Sequence, residues 1–105
     1  MMKIYGLKNC DICRKAKKEL EGELQDVRDD PLTIEQLQRF HEAFGQALLN
    51  TRSTTWRGLD EAQRASDVLS LLQQHPTLMK RPVIERGGQL FLGWSKEVQA
   101  LLLGA

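Results

Sequence analysis

Two cysteines in the run Cys10-Asp11-Ile12-Cys13 constrain this chain more than any other feature of its sequence. They follow a short apolar segment, Lys3-Ile4-Tyr5, and a turn, Gly6-Leu7-Lys8-Asn9. They open a stretch in which Ile12, Ala16 and Leu20 recur at helical spacing. The pattern predicts a strand over about 2–6 and a helix over 11–21 with Ile12, Ala16 and Leu20 facing a core. Cys10 then stands at the helix start, where unsatisfied N–H groups and the positive end of the dipole favour a thiolate. Cys13 comes round to the same side after nearly one turn and can attack a sulfur bonded to Cys10. Lys8, Arg14, Lys15, Lys17 and Lys18 add positive charge nearby, and Asp11 works weakly against it. Cys10 reads as a reactive thiol and Cys13 as its resolving partner.

A chain of 105 residues, 41% hydrophobic and 28% charged, has the apolar mass for one modest core and so for a single domain over 1–105. No apolar run is long enough to span a bilayer, and the zones of a signal peptide are missing. The expected setting is the cytoplasm, with no membrane partner. In a reducing cytosol a C-x-x-C pair is more often redox-active or metal-binding than structural. Zinc would need two further ligands, and His41 and His75 stand alone rather than at paired spacing, so no metal is expected. Two inert, partly buried thiols are the plainer alternative. A net charge of +1 makes no case for direct nucleic-acid binding. The charge is uneven, however: residues 1–18 carry +5, residues 19–42 carry −6 and the remainder +2. A basic face around the cysteines would attract an anionic substrate or an acidic thiol such as glutathione.

Further along, Leu24 to Arg28 suggests a short acidic second strand after a C-cap at Gly22. Thr33-Ile34-Glu35-Gln36 has the form of a capping box, and the helix it opens places Ile34, Leu37, Phe40 and Phe44 inward before halting at Gly45. Ala47-Leu48-Leu49 can add a turn ahead of the polar loop Asn50 to Thr55. A helix from about Asp60 to Gln74 would bury Ala62, Ala65, Leu69 and Leu72 and break at His75-Pro76, with His75 a helix-terminus residue. Val83-Ile84-Glu85 and Gln89-Leu90-Phe91-Leu92 flank Gly87-Gly88, a hairpin pattern. Ser95 caps a last helix that buries Val98, Leu101 and Leu102, and Trp56 and Trp94 are expected as core anchors. This order is an α/β, thioredoxin-like plan: a mixed sheet flanked by helices, with a helical insertion over about 33–75.

Several segments together resemble the arsenate reductase (ArsC) family. They are Asn9-Cys10 with Arg14, Leu48-Leu49-Asn50-Thr51-Arg52, Gln74-His75-Pro76, Lys80-Arg81-Pro82-Val83-Ile84 and Leu92-Gly93-Trp94-Ser95. Tyr5 to Cys10 and Asn50 to Arg57 are most similar to its YffB branch, whereas Cys10 to Ala16 resembles the redox switch of Spx, a regulator that binds RNA polymerase. The resemblance implies Cys10 as nucleophile, Arg81 as the arginine beside a cis-proline, Pro82, and Arg52 as a looser match to a second anion-binding arginine. Asn9 belongs to the same substrate-binding set. It implies a small reductase with no tightly bound cofactor, using glutathione or a glutaredoxin-type reductant on a small anionic or disulfide substrate. The alternative it implies is an Spx-like regulator that contacts the RNA polymerase α subunit. The position of a third oxyanion-binding arginine falls near Gly93-Trp94, where this chain has none, and Cys13 is a resolving thiol that glutaredoxin-coupled arsenate reductases lack. Both departures argue against efficient arsenate reduction.

Overall fold

The computed structural model describes residues 2–104, which cluster into two compact units. The first comprises residues up to Asp30 and from Arg81 onward; the second is Pro31–Lys80.

The first unit is built on a four-stranded mixed sheet. Strand β1 (Met2–Gly6) lies between β2 (Glu23–Asp26), which runs parallel to it, and β3 (Val83–Arg86), which runs antiparallel. β4 (Gln89–Leu92) pairs antiparallel with β3, giving the order β2-β1-β3-β4. Gly87 and Gly88 join β3 to β4 with φ of 54° and 85°, the two left-handed positions that a tight hairpin turn needs. Leu24, Ile4, Ile84 and Phe91 stand opposite one another in register and make one apolar row across the sheet. Ala16 and Leu20 of helix α1 (Asp11–Leu20) pack on that row. So do Val98 and Leu102 of a C-terminal helix, Lys96–Leu103, with Trp94 beside them. The Trp94 indole N–H also donates to Glu19 at 3.1 Å, so Trp94 is a half-buried anchor with a polar tie.

Helix rotation differs from the sequence expectation in two places. Ile12 is 51% exposed, whereas Cys13 is fully buried. At about 100° per residue, Cys13 lies roughly 20° from Leu20 around the helix axis and Ile12 roughly 80° away. The buried stripe is therefore Cys13, Ala16 and Leu20. Leu101 is likewise 61% exposed, because the inward arc of the last helix runs through Val98 and Leu102. The reason α1 turns this way lies in β1: a Cβ on Gly6 would stand 2.4 Å from the Cys13 Sγ and 3.2 Å from its Cβ. Glycine at position 6 leaves the space that the buried thiol fills. The C-cap of α1 is Glu21, at φ 52°, rather than Gly22. Gly22 serves close approach, since a Cβ there would meet Ile4 Cδ1 and the Met2 carbonyl oxygen, each at 2.9 Å.

The second strand begins and ends earlier than the acidic segment suggested: Asp26 is its last paired residue, opposite Gly6, and its side chain organises the loops around it. Its carboxylate accepts the Lys8 backbone N–H at 2.9 Å, and those of Arg28 and Asp29 at 2.9 and 3.2 Å. The Val27 N–H donates to the Gly6 carbonyl at 2.9 Å. Together these bonds tie the segment leading into Cys10 to the end of β2.

The second unit is helical. Thr33 and Gln36 form the expected capping box at the start of α2 (Ile34–Phe44), which ends at Gly45. Leu37 and Phe40 are buried, but Ile34 lies in the exposed first turn and Phe44 is half-buried. A 3-10 turn covers Gly45–Leu48. After α3 (Thr54–Arg57), the continuous helix expected from about Asp60 to Gln74 is two short ones, α4 (Glu61–Arg64) and α5 (Val68–Gln74). Ser53, Asp60 and Asp67 each take extended backbone and accept an N–H of the following turn, so local capping outcompetes continuation. Ala62 and Ala65 are consequently exposed and Leu69 half-buried, while Val68, Leu71 and Leu72 face inward. Trp56 is half-buried, with the Arg64 guanidinium 5.4 Å from its ring centre. The unit closes where Leu49 bridges Met79, flanked by Asn50 N–H to Leu78 oxygen and Lys80 N–H to Leu48 oxygen, both 2.8 Å.

Gly6→Ala should destabilise the protein by about 1–3 kcal/mol, the range for an overpacked core. Urea denaturation should also show that most of this loss disappears when Cys13→Ala is added, since the clash is chiefly with the sulfur. For Asp26, partial burial works to raise the carboxyl pKa, but the Lys8, Arg28 and Asp29 N–H groups outweigh it and hold the group below its ordinary 3.8. The stabilisation it contributes is present above the unfolded-state value and fades as the pH falls through the lowered one. Urea midpoints of wild type and Asp26→Asn, compared from pH 7 to pH 3, should converge as the pH drops below about 4.

Candidate active site

Cys10 is the N-cap residue of α1, and its backbone carbonyl accepts the Arg14 N–H at 3.0 Å. It is partly exposed and Cys13 is buried; both are free thiols. The Cys10 sulfur makes no capping hydrogen bond of full geometry, yet the Cys13 N–H lies close enough to favour its ionised form. Partial burial raises the Cys10 pKa. The Cys13 N–H and thiol and the Arg81 guanidinium, which hydrogen-bonds the sulfur, more than offset this and hold Cys10 below the ordinary 9.0. Cys13 moves the other way, pushed up to about 12, first by burial and then by the neighbouring Cys10 sulfur. One environment thus pushes the pKa values of two like groups apart.

The basic run does not act as the sequence suggested. Lys8 is paired with Asp29 at 2.7 Å, and Arg14 is paired with Asp11. Lys15, Lys17 and Lys18 are exposed on the outer side of α1. The cation that reaches the Cys10 sulfur is Arg81, at the other end of the unit's sequence. The Arg81–Pro82 peptide bond is cis, and the Pro82 carbonyl accepts the Gly93 N–H at 2.7 Å. Asn9 is exposed beside Cys10, and its amide oxygen accepts from Arg28 at 3.4 Å. Arg52 belongs to the second unit, where it is exposed and its backbone N–H donates to Asn50 Oδ1 at 3.1 Å.

The first unit therefore gathers Asn9, Cys10, Cys13, Arg81 and Pro82. Sequence reading missed two residues that shape this site, Gly6 and Asp26. The second had a signal: an aspartate followed by Arg28-Asp29-Asp30 is the kind of residue that gathers the N–H groups of a turn. Gly6 carried none beyond its place in a turn. Among the described residues no group of three or more His, Cys, Asp or Glu side chains could hold a metal ion. No helix among them is long and apolar enough to cross a membrane.

The model of the ArsC family matches residues 5–100. A Haemophilus influenzae protein described as uncharacterized is 42% identical over 111 residues, covering 95% of this chain and 97% of its own. Global transcriptional regulator Spx 1 of Bacillus cereus is 27% identical over 108 residues, 92% of this chain and 82% of its own. Among solved structures, a YFFB protein superposes with a TM-score of 0.88 at 33% identity, covering 98% of this chain and 99% of that one. An arsenate reductase (ArsC) related protein from Brucella melitensis gives 0.74, also at 33% identity, over 99% of this chain and 95% of that one. An arsenate reductase from Vibrio cholerae, 17% identical, shares the fold with a TM-score of 0.76 over 98% of this chain and 95% of that one. The sheet and its flanking helices are thioredoxin-like, and the chain belongs to the ArsC family.

Proposed function

We propose that this protein is a thiol-dependent reductase of the reducing cytosol in which Cys10 attacks and Cys13 resolves. The observation that carries the reading is the Arg81 guanidinium on a partly exposed Cys10 whose partner thiol is buried directly behind it. The Cys10 thiolate attacks one sulfur of a disulfide substrate, the substrate S–S bond breaks, and the departing thiolate takes a proton. Cys13 then gives up its proton and attacks the Cys10 sulfur, releasing the second substrate thiol and leaving a Cys10–Cys13 disulfide. Two electrons have passed from the dithiol to the substrate. Two equivalents of glutathione, or a glutaredoxin-type dithiol, return them. Arg81 offers a fork to a carboxylate or similar anion on the substrate. Asn9 is the remaining binding candidate within the first unit.

The Spx relatives motivate a second reading, in which the same disulfide alters a surface that contacts the RNA polymerase α subunit. The two readings differ in whether Cys10 must pass through an intermolecular disulfide.

Alkylation rates measured against pH should place the Cys10 titration below the free-thiol value of about 8.5. In Arg81→Ala the same titration should move to higher pH, because the charge favouring the thiolate is gone. An unmoved curve would assign the activation to the helix terminus alone. The carrying experiment uses Cys13→Ser, which removes the resolving step. A glutathione adduct should accumulate on Cys10, visible by mass spectrometry, when the variant meets glutathione disulfide. If nothing is trapped, while oxidised wild type binds the C-terminal domain of the polymerase α chain, the regulator reading replaces the reductase.

A further inference from the structure

The face of α1 turned away from the sheet has a composition the thiol chemistry does not use. Ile12, two residues beyond Cys10, is half-exposed rather than packed. It lines a shallow groove of about 530 Å³ with Asp11, Arg14, Lys15 and Lys18. Arg14 is spoken for by Asp11. Lys15 and Lys18 are exposed, and among the described residues neither makes an ion pair. The groove is thus an apolar centre with two unneutralised cations one helical turn apart, opening beside the thiol that must meet a second sulfur. A small thiol such as glutathione needs only the atoms at Cys10 and Arg81. A chain that continues past its own cysteine would lie across this groove.

We propose that this groove docks an acidic, partly apolar peptide segment flanking a disulfide in a protein substrate. The inference rests on the reductase reading, since it concerns which disulfides that chemistry reaches. The charge argument fixes the sign of the partner: Lys15 and Lys18 repel a basic segment and attract an acidic one, and Ile12 is covered when the segment settles. The reaction is the exchange already written. Cys10 bonds to one substrate sulfur, Cys13 releases it, and the peptide leaves as a dithiol while the protein leaves as its disulfide.

The test uses the reduced full-length protein in single turnovers. The probes are two synthetic peptides that carry the same intramolecular disulfide, one flanked by Glu and Leu and the other by Lys and Leu. The neutral control is bis(2-hydroxyethyl) disulfide. At low ionic strength the acidic peptide should be reduced at least about tenfold faster than the basic one, and the ratio should fall as salt is added. Lys15→Glu with Lys18→Glu should invert the preference, and Ile12→Ser should raise the peptide concentration that gives the half-maximal single-turnover rate for both peptides. The neutral control should hold its rate in all variants. Equal rates for the two peptides, or a preference that survives the charge reversal, would overturn the docking groove. Failure to reduce the neutral control in wild type would instead overturn the reductase reading beneath it. Self-association of the wild type at low salt, with its acidic residues 19–30 seated on the groove of a second copy, would replace the substrate as occupant and also overturn the proposal.

Discussion

The arrangement of the site depends on the Cys13 sulfur packing over the backbone of Gly6. A side chain at position 6 would occupy the space the sulfur fills, so glycine there lets helix and strand approach and sets how α1 is rotated. That rotation sends Cys13 inward, leaves Cys10 at the rim and turns Ile12 out to solvent. A rotation that buried Ile12 would lift Cys13 off the strand. The exposed isoleucine and the buried thiol are two sides of one packing decision.

Charge acts on this frame by contact rather than by number. The exposed lysines of α1 look on the sequence like the source of Cys10 activation. In water, however, a unit charge at 4 Å is worth about 1 kcal/mol, and at physiological salt its reach fades over roughly 8 Å. Arg81 hydrogen-bonds the sulfur directly and stands in a partly desolvated position, so one guanidinium does what several solvated ammonium groups do not. The lysines stay exposed on the outer side of α1, where they are available for the docking role proposed above.

What the sequence revealed follows from the range of the forces involved. Local signals were readable: the Thr33–Gln36 capping box, the Gly87-Gly88 hairpin, the thiol at a helix start and Pro82 next to Arg81. The element order gave the fold because strand, helix and hairpin patterns are set within each segment. The contact between Arg81 and Cys10 was expected only through family resemblance, since no local pattern joins residues so far apart in sequence. Burial on α1 was misread because Ile outranks Cys in apolarity, while the deciding partner, Gly6, has no side chain to advertise itself. The broken helix between Asp60 and Gln74 shows the opposite error. The hydrophobic period continued across Ser66-Asp67, yet the Asp67 cap on Ser70 at 2.8 Å was a stronger local instruction than the period.

A thiol pushed up to about 12 looks a poor choice for the second attack, but the value belongs to the dithiol and not to the intermediate. Burial is its largest cause, and the next influences that raise it both come from the Cys10 sulfur. Once Cys10 is bonded to a substrate sulfur it carries no charge, so its repulsion of a Cys13 thiolate ends. Arg81, which also favours ionisation of Cys13, then has no Cys10 thiolate to neutralise. On the proposed reading the same guanidinium therefore serves first the attacking thiol and then the resolving one. Before substrate arrives, the Cys13 proton is held by burial and by a charged neighbour; after capture only burial holds it. On the reductase reading proposed above, the electrostatics of the pair set the order of the two steps: the raised pKa of Cys13 disfavours its attack on an incoming disulfide, and the influence of the Cys10 thiolate that helps raise it ends once a mixed disulfide has formed.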